Sequence, residues 1–273
     1  MTWLTEFGQV IHEAAHLGRL DTLDAAHAAL HSGDPTQLIK AFPGGVTIED
    51  PRAGHIEGQA ALEDYCRESR GWLSERSART RAVAVTNGSN RVVGEFDVDM
   101  DHDGRSFTLP VAVVVEPDAR GRSVAIRNYH SHWPLLGRHV VRPPLLEPDP
   151  YATAGDIVGE YQAALAAGDK ARWVAAFEDD GCFREPAGEE HRFCGTTNLR
   201  ELANSFFANG GIVLEHCTVT DDGVRVAIEF NAIEWGGVAM PRQAGVAVYE
   251  RGRTGRLANA RVYDDVDPPL QSG

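Results

Sequence analysis

Apolar residues recur at helical spacing over residues 19–31 and again over 155–167, and each run is broken by a Gly-Asp pair, Gly33-Asp34 and Gly168-Asp169. An Asp at such a break reads as the N-cap of a following helix, with Pro35 at that helix's first position in the earlier case. The second helix ends near Phe42 or Phe177, and a third follows Gly58 or Gly195. Beyond these points the period falls to two. In residues 91–100, RVVGEFDVDM, the residues Phe96, Val98 and Met100 share one face, and Glu95, Asp97 and Asp99 share the other, which reads as solvated. Further strands are expected over 107–116 and 123–132, joined by a Pro117–Gly121 turn, and over 224–235, 243–250 and 257–265. Helices first and an antiparallel meander afterwards make an α+β fold. A curved antiparallel sheet wrapped on a helix layer leaves one cavity, at its open end.

The two series of elements are copies of one another. Residues 28–42, AALHSGDPTQLIKAF, align with residues 163–177, AALAAGDKARWVAAF. At nearly constant offset Asp50-Pro51 falls on Glu185-Pro186, Gly58 on Gly195, Glu95-Phe96 on Glu229-Phe230, and Arg127-x-Tyr129 on Arg261-x-Tyr263. Landmarks kept in order imply an internal duplication. The expected organisation is an N-terminal extension over 1–18, a first domain over 19–137, a Pro-rich linker over 138–151 and a second domain over 152–268. The four prolines between Arg142 and Pro150 make that linker stiff and extended.

Composition narrows the function classes. The 273 residues carry 40 acids against 26 bases, a net charge of −14, which argues against nucleic acid and anionic membranes as partners. No apolar run reaches the ~20 residues of a membrane helix, and Met1–Glu6 lacks the basic and apolar regions of a secretory signal, so a cytoplasmic location is expected. Cys66, Cys182, Cys194 and Cys217 show no C-x-x-C or zinc spacing and read as free thiols of a reducing compartment. His130-x-His132 on a strand would turn both rings to one face, but no third ligand stands at suitable spacing, so no metal is expected and His130 reads as a polar pocket residue or proton shuttle. Asp97, Asp99, Asp101 and Asp103 lack the rest of a calcium loop.

The stretch EYQAALAAGD…WVAAFEDDGCFREPAG of the second copy resembles bacterial ketosteroid isomerase and the wider nuclear-transport-factor-2-like and SnoaL-like families of cone-shaped folds, and the first copy keeps the same skeleton at Val46-Thr47-Ile48-Glu49-Asp50-Pro51. The resemblance implies two tandem cones paired as an internal pseudo-dimer, with further homo-oligomerisation open. It places a general base at Asp50 and Glu185 and an oxyanion donor at Tyr161, where copy one has Ala26. The isomerase family's second donor acid would fall near Ala112 and Gly245, so neither copy carries the full isomerase set. Strand phase anchored on the family turns Ala260, Val262 and Asp264 inward in copy two, and Ile126, Asn128 and His130 in copy one. Asp264 is the counterpart sought for the acid/base carboxylate of SnoaL-like cyclases, and Glu234 takes the phase of Met100.

The catalytic candidates are therefore Asp50, His130, Tyr161, Glu185 and Asp264, and the pocket candidates Phe96, Val98, Met100, Asn128, Phe230 and Glu234. The expected activity is cofactor-independent acid/base chemistry on a hydrophobic small molecule: isomerisation, cyclisation, or epoxide opening as in the tandem polyether epoxide hydrolase/cyclases. Limonene-type epoxide hydrolases fit less well, for want of an Asp-Arg-Asp set. Carboxyls buried in an apolar cone should titrate high, and copy two is the expected active half because it pairs its acid with Tyr161. A non-catalytic binding or assembly module is the alternative, and it would fill its cones with large apolar side chains.

Overall fold

The computed structural model describes residues 20–269; the extension expected over 1–18 lies outside them. The chain divides into two compact units between His130 and Ser131.

The first unit opens with α1 (Leu20–Ser32) and α2 (Thr36–Ala41), followed by β1 (Gly45–Asp50), β2 (Gly54–Glu57) and α3 (Gln59–Glu75). The meander β3 (Arg79–Asn87), β4 (Val92–His102), β5 (Arg105–Pro117) and β6 (Ser123–Tyr129) completes it. The second unit repeats this order after a single helical turn, α4 (Trp133–Leu136). Its helices α5 (Asp156–Ala167) and α6 (Lys170–Ala175) precede β7 (Phe177–Arg184), β8 (Arg192–Cys194), α7 (Gly195–Phe206), β9 (Ile212–Asp221), β10 (Arg225–Trp235), β11 (Val238–Arg251) and β12 (Leu257–Asp264). The two sheets have the same topology, β2-β1-β6-β5-β4-β3 and β8-β7-β12-β11-β10-β9. The meander is antiparallel as expected, but β1 runs parallel to β6 and β7 parallel to β12, so each sheet is mixed. A helix and four strands separate each parallel pair, ample length for the crossover that parallel pairing demands.

The duplication extends to the ion pairs. Glu116 on β5 accepts from Arg91 and Arg127 at 2.7 and 2.8 Å. Glu250 on β11 faces Arg225 and Arg261 at 3.7 and 3.1 Å. The landmark arginines Arg127 and Arg261 therefore hold equivalent carboxylates on the neighbouring strand.

Each sheet packs its apolar face against its helices. In the first unit Leu23, Leu38, Leu62 and Cys66 meet Val46, Ile48, Phe96 and Ile126. In the second, fully buried Trp173 is the centre of an aromatic cluster, with the rings of Phe177, Phe183, Phe207 and Tyr161 5.2–5.7 Å away. Burial of such rings is the largest per-residue stabilising contribution in a core of this kind. Asp169 caps α6 through the Arg172 N–H at 3.0 Å. In the first unit Pro35 takes the cap position itself, and Asp34 accepts the Thr36 N–H at 2.9 Å. Gly168 ends α5 in the left-handed conformation, φ +64°, and a Cβ there would meet the backbone of Gly210 and Gly211 at 2.8–2.9 Å, so only glycine fits.

Several expectations are corrected. Glu95 and Asp97 are buried rather than solvated, and Asp97 accepts from Arg81 at 2.6 Å; only Asp99 of the three is exposed. Cys182 and Cys194 are not free thiols but a disulfide, because β7 and β8 pair antiparallel with these two residues directly opposite and their Cα atoms 4.1 Å apart; Cys66 and Cys217 remain free and buried. The segment following β6, from Ser131, groups with the second unit. Nor is the Pro-rich stretch a bare spacer: Ala244 N–H donates to the Arg142 carbonyl at 3.0 Å, Asn231 Nδ2 to Leu146 O at 3.0 Å, and Asp149 N–H to His216 O at 2.9 Å. Extended, proline-rich backbone leaves polar groups without strand partners, and the second sheet donates to the Arg142 and Leu146 carbonyls and accepts from the Asp149 N–H.

Candidate functional site

The second unit encloses a cavity of about 330 Å³. Its wall is apolar, built from Phe183, Phe206, Leu214, Phe230, Trp235 and Val262 among others, and two carboxyls enter it: Glu185, the first residue after β7, and Asp264, the last of β12. Asp264 stands opposite Gly245 in the β11–β12 register. A Cβ at Gly245 would lie 2.6 Å from Phe230 Cζ and 2.7 Å from Asp264 Cβ. The position where a second donor acid was sought on β11 thus cannot hold a side chain; Asp264 and Phe230 occupy that space from the two neighbouring strands.

Burial pushes the Asp264 carboxyl up to about 7; the Val266 N–H and His139 oppose the shift, while the charges of Asp265 and Glu185 add to it. Glu185 is likewise raised by burial, tempered by His191, whose Nδ1 lies 3.4 Å from Oε2. These are two acids in one apolar chamber, electrostatically coupled, one of them divided between its protonation states near neutrality. Tyr161 on α5 lines the cavity, its ring 5.0 Å from that of Tyr249. Tyr249 accepts a hydrogen bond from Gln162 Nε2 at 2.7 Å. Burial raises both phenols, so they stay protonated donors.

The first unit holds a smaller cavity, about 120 Å³, with a different polar lining. Asp50 Oδ2 accepts from the Tyr65 hydroxyl at 2.9 Å and from Asn128 Nδ2 at 3.0 Å, and Asn128 also donates to the Tyr65 oxygen at 3.1 Å. Its Oδ1 accepts the N–H groups of Arg52 and Ala53 at 3.0 and 2.9 Å. Burial alone would raise this carboxyl, but the His130 charge and the Asn128, Ala53 and Tyr65 hydrogen bonds outweigh it and hold Asp50 below the usual carboxylate range. The upward shift expected for Asp50 is therefore reversed, because its donors stabilise the anion more than desolvation penalises it. Also lining this cavity, His27 and His31 stack at 4.2 Å, and burial lowers both.

A model of the SnoaL-like domain matches residues 23–126 and again residues 158–260. This chain belongs to the SnoaL-like family, twice over. Solved structures similar to one half of this tandem SnoaL-like chain include the epoxide hydrolase/cyclase-like enzyme SalBIII of pyran ring formation in the polyether salinomycin, 24% identical at a TM-score of 0.34 over 40% of this chain and 87% of its own. An LEH-like epoxide hydrolase of M. tuberculosis is 22% identical at a TM-score of 0.35, over 40% of this chain and 80% of its own. A putative polyketide cyclase from Sinorhizobium meliloti is 18% identical at 0.33, over 40% and 94%. No functionally curated protein matches the sequence.

In the first SnoaL-like domain Asp50, Asn128 and His130 meet in one cavity with Phe96, Val98 and Met100. In the second, Tyr161, Glu185, Asp264 and Phe230 do so. Glu234 does not join them: a bulge in β10 between Ala232 and Glu234 shifts the alternation by one residue and turns Trp235 into the cavity instead. The His130-x-His132 pair is split as well, because β6 ends at Tyr129; His130 lines the first domain's cavity, and His132 Nδ1 lies 2.8 Å from Asp265. Among the described residues no group of His, Cys, Asp and Glu is arranged to hold a metal.

Sequence reasoning missed Tyr65, although Leu62, Tyr65, Cys66 and Ser69 repeat at helical spacing on one buried face of α3. It also missed His27 and His31, one turn apart on α1. Copy one therefore also pairs its acid with a tyrosine, but in another role from the oxyanion donor sought at Ala26: the Tyr65 hydroxyl donates to Asp50 itself and holds the carboxylate.

Proposed function

We propose that this tandem SnoaL-like protein is a cofactor-independent acid/base enzyme acting on a hydrophobic small molecule, with the second domain as the principal site. The observation that carries this reading is the pair of coupled carboxyls, Glu185 and Asp264, in a largely apolar chamber large enough for a ligand. A scaffold would have filled that chamber with side chains. Asp264, titrating near neutrality, can deliver a proton to a carbonyl or epoxide oxygen, and Glu185 can take one from a carbon or an attacking hydroxyl. The ring faces of Phe183, Phe230 and Trp235 would bind the apolar body and exclude water. The first domain, with its ionised Asp50 held by Tyr65 and Asn128, fits a base acting in a separate step.

Isomerisation, cyclisation and epoxide opening all use such a pair. A hydroxy-epoxide on an aliphatic chain distinguishes cyclisation from hydrolysis by product mass, and a β,γ-unsaturated ketone reports isomerisation. Turnover of either by the purified protein should fall about 10²–10⁴-fold in Glu185→Gln. Saturable binding of these compounds without turnover would instead support the binding-module reading.

A further inference from the structure

The loop that enters the second domain is gathered onto one buried carboxylate. Asp265, immediately after β12, accepts five hydrogen bonds from Ser131–Val140: Ser131 Oγ at 2.8 Å, the His132 N–H at 3.0 Å, His132 Nδ1 at 2.8 Å, His139 Nδ1 at 2.9 Å and the Val140 N–H at 2.8 Å. Between the two histidines α4 makes one turn, and Gly137, at φ +63°, reverses the chain so that both rings reach the same carboxylate. Burial would raise Asp265, but these donors hold it far below the usual carboxylate range, so it is an anion and each bonded Nδ1 is the protonated nitrogen.

The two rings differ in what else they meet. His132 is almost enclosed, whereas His139 lines the 330 Å³ cavity together with Ser131 and Trp133, whose ring lies 4.9 Å from it. With Nδ1 committed to Asp265, the remaining nitrogen of His139 is Nε2. A carboxylate that fixes the tautomer and the plane of an imidazole bordering a ligand chamber is the arrangement by which a ring is oriented for hydrogen bonding or proton transfer at its second nitrogen.

We propose that His139 is a catalytic residue of the second domain, donating a hydrogen bond from Nε2 of its imidazolium form to an oxygen atom of the bound substrate, and that Asp265 is its positioning residue. The proposal rests on reading this cavity as a substrate site and narrows the substrate class to an apolar molecule carrying a carbonyl, epoxide or phenolic oxygen near the Ser131–His139 side of the chamber. It also gives the Ser131–Val140 segment of the second unit, which precedes that unit's repeated elements, a part in the site. The carboxylates that face His139 are Asp265, Asp264 and Asp267, and His132 shares Asp265 with it. The Asp265 hydrogen bond and all three negative charges favour the imidazolium and outweigh desolvation, so the ring's pKa lies above 6.5.

The test uses the full chain labelled with ¹⁵N in its histidine rings and 2-naphthol as the probe, a compound with an apolar body and one oxygen. Naphthol should move the Nε2 resonance of His139 and leave that of His132 in place. His139→Gln should weaken naphthol binding roughly ten-fold or more, the loss of one charge-assisted hydrogen bond. Asp265→Asn should lower the pKa of the His139 ring, which a purely structural role for Asp265 would not require. An unmoved Nε2 resonance, an unchanged Kd in His139→Gln, or no naphthol binding by the wild-type protein would each overturn the proposal. The shift measurement in wild-type protein stands even if a variant fails to fold. Loss of turnover in Glu185→Gln together with an unmoved His139 would remove His139 and leave the carboxyl mechanism intact.

Discussion

Replacing Asp264 by Asn removes an ionisable group from a buried site while keeping its shape, and the sign and size of the effect follow from one comparison. In the unfolded chain this carboxyl ionises near 3.8; in the fold burial delays it to about 7. The folded state therefore holds a proton that the unfolded state releases, and wild-type stability falls as pH rises from about 4 to about 7. Each unit of difference corresponds to 1.36 kcal/mol, so the full cost above pH 8 is on the order of 4 kcal/mol, and about 2.5 kcal/mol of it develops between pH 5 and pH 8. Asn carries no such cost. The stability of Asp264→Asn relative to wild type should rise by about that amount over this interval. Unfolding in urea followed by ¹⁹F NMR of fluorotryptophan resolves the domains, because Trp173 lies in the second core and Trp72 lines the first cavity. Coupling of Asp264 to Asp265, His139 and Glu185 makes the transition broader than that of a lone acid, but leaves its sign unchanged. A stability difference constant from pH 5 to pH 8 would refute the argument, since it would mean that the carboxyl ionises at the same pH in both states.

Tyr65→Phe removes one donor from Asp50 and should raise the pKa of that carboxyl, read from its ¹³C resonance. Because Asp50 is depressed in the fold, its contribution to stability is present above the unfolded pKa of 3.8 and lost as pH falls through the folded value, and the variant should lose part of it. Reduction of Cys182–Cys194 opens a loop with a sequence separation of 12 that carries Glu185 and His191; the second domain should lose about 3 kcal/mol, seen as a lower Tm with dithiothreitol and abolished by Cys182→Ser. Gly245→Ala puts a methyl group against Phe230 and Asp264, and should cost about 1–3 kcal/mol by overpacking and weaken ligand binding in the second cavity while leaving the first unaffected.

Local periodicity and the internal repeat carried most of the architecture. The Gly-Asp breaks, the helical runs, the alternating strands and the Arg-x-Tyr landmarks are short-range signals, set by backbone preference and by which face must be apolar, and they survive in one dimension. Strand phase likewise turns Phe96, Asn128, His130 and Asp264 toward the cavities. It failed where one residue of register was lost: the β10 bulge turned Trp235 inward in place of Glu234, and no local preference announces such an insertion. It failed also for groups whose meaning depends on partners far along the chain. Cys182 became half of a disulfide only when β8 folded back beside β7, and Asp50 became a held anion only when Tyr65 and Asn128 converged on it from α3 and β6. Residue type alone does not tell the protonation state of Asp50 from that of Asp264. The tertiary structure separated them, because a carboxyl's protonation is decided by the balance of lost hydration against donors gained, and that balance exists only once distant segments are packed around it.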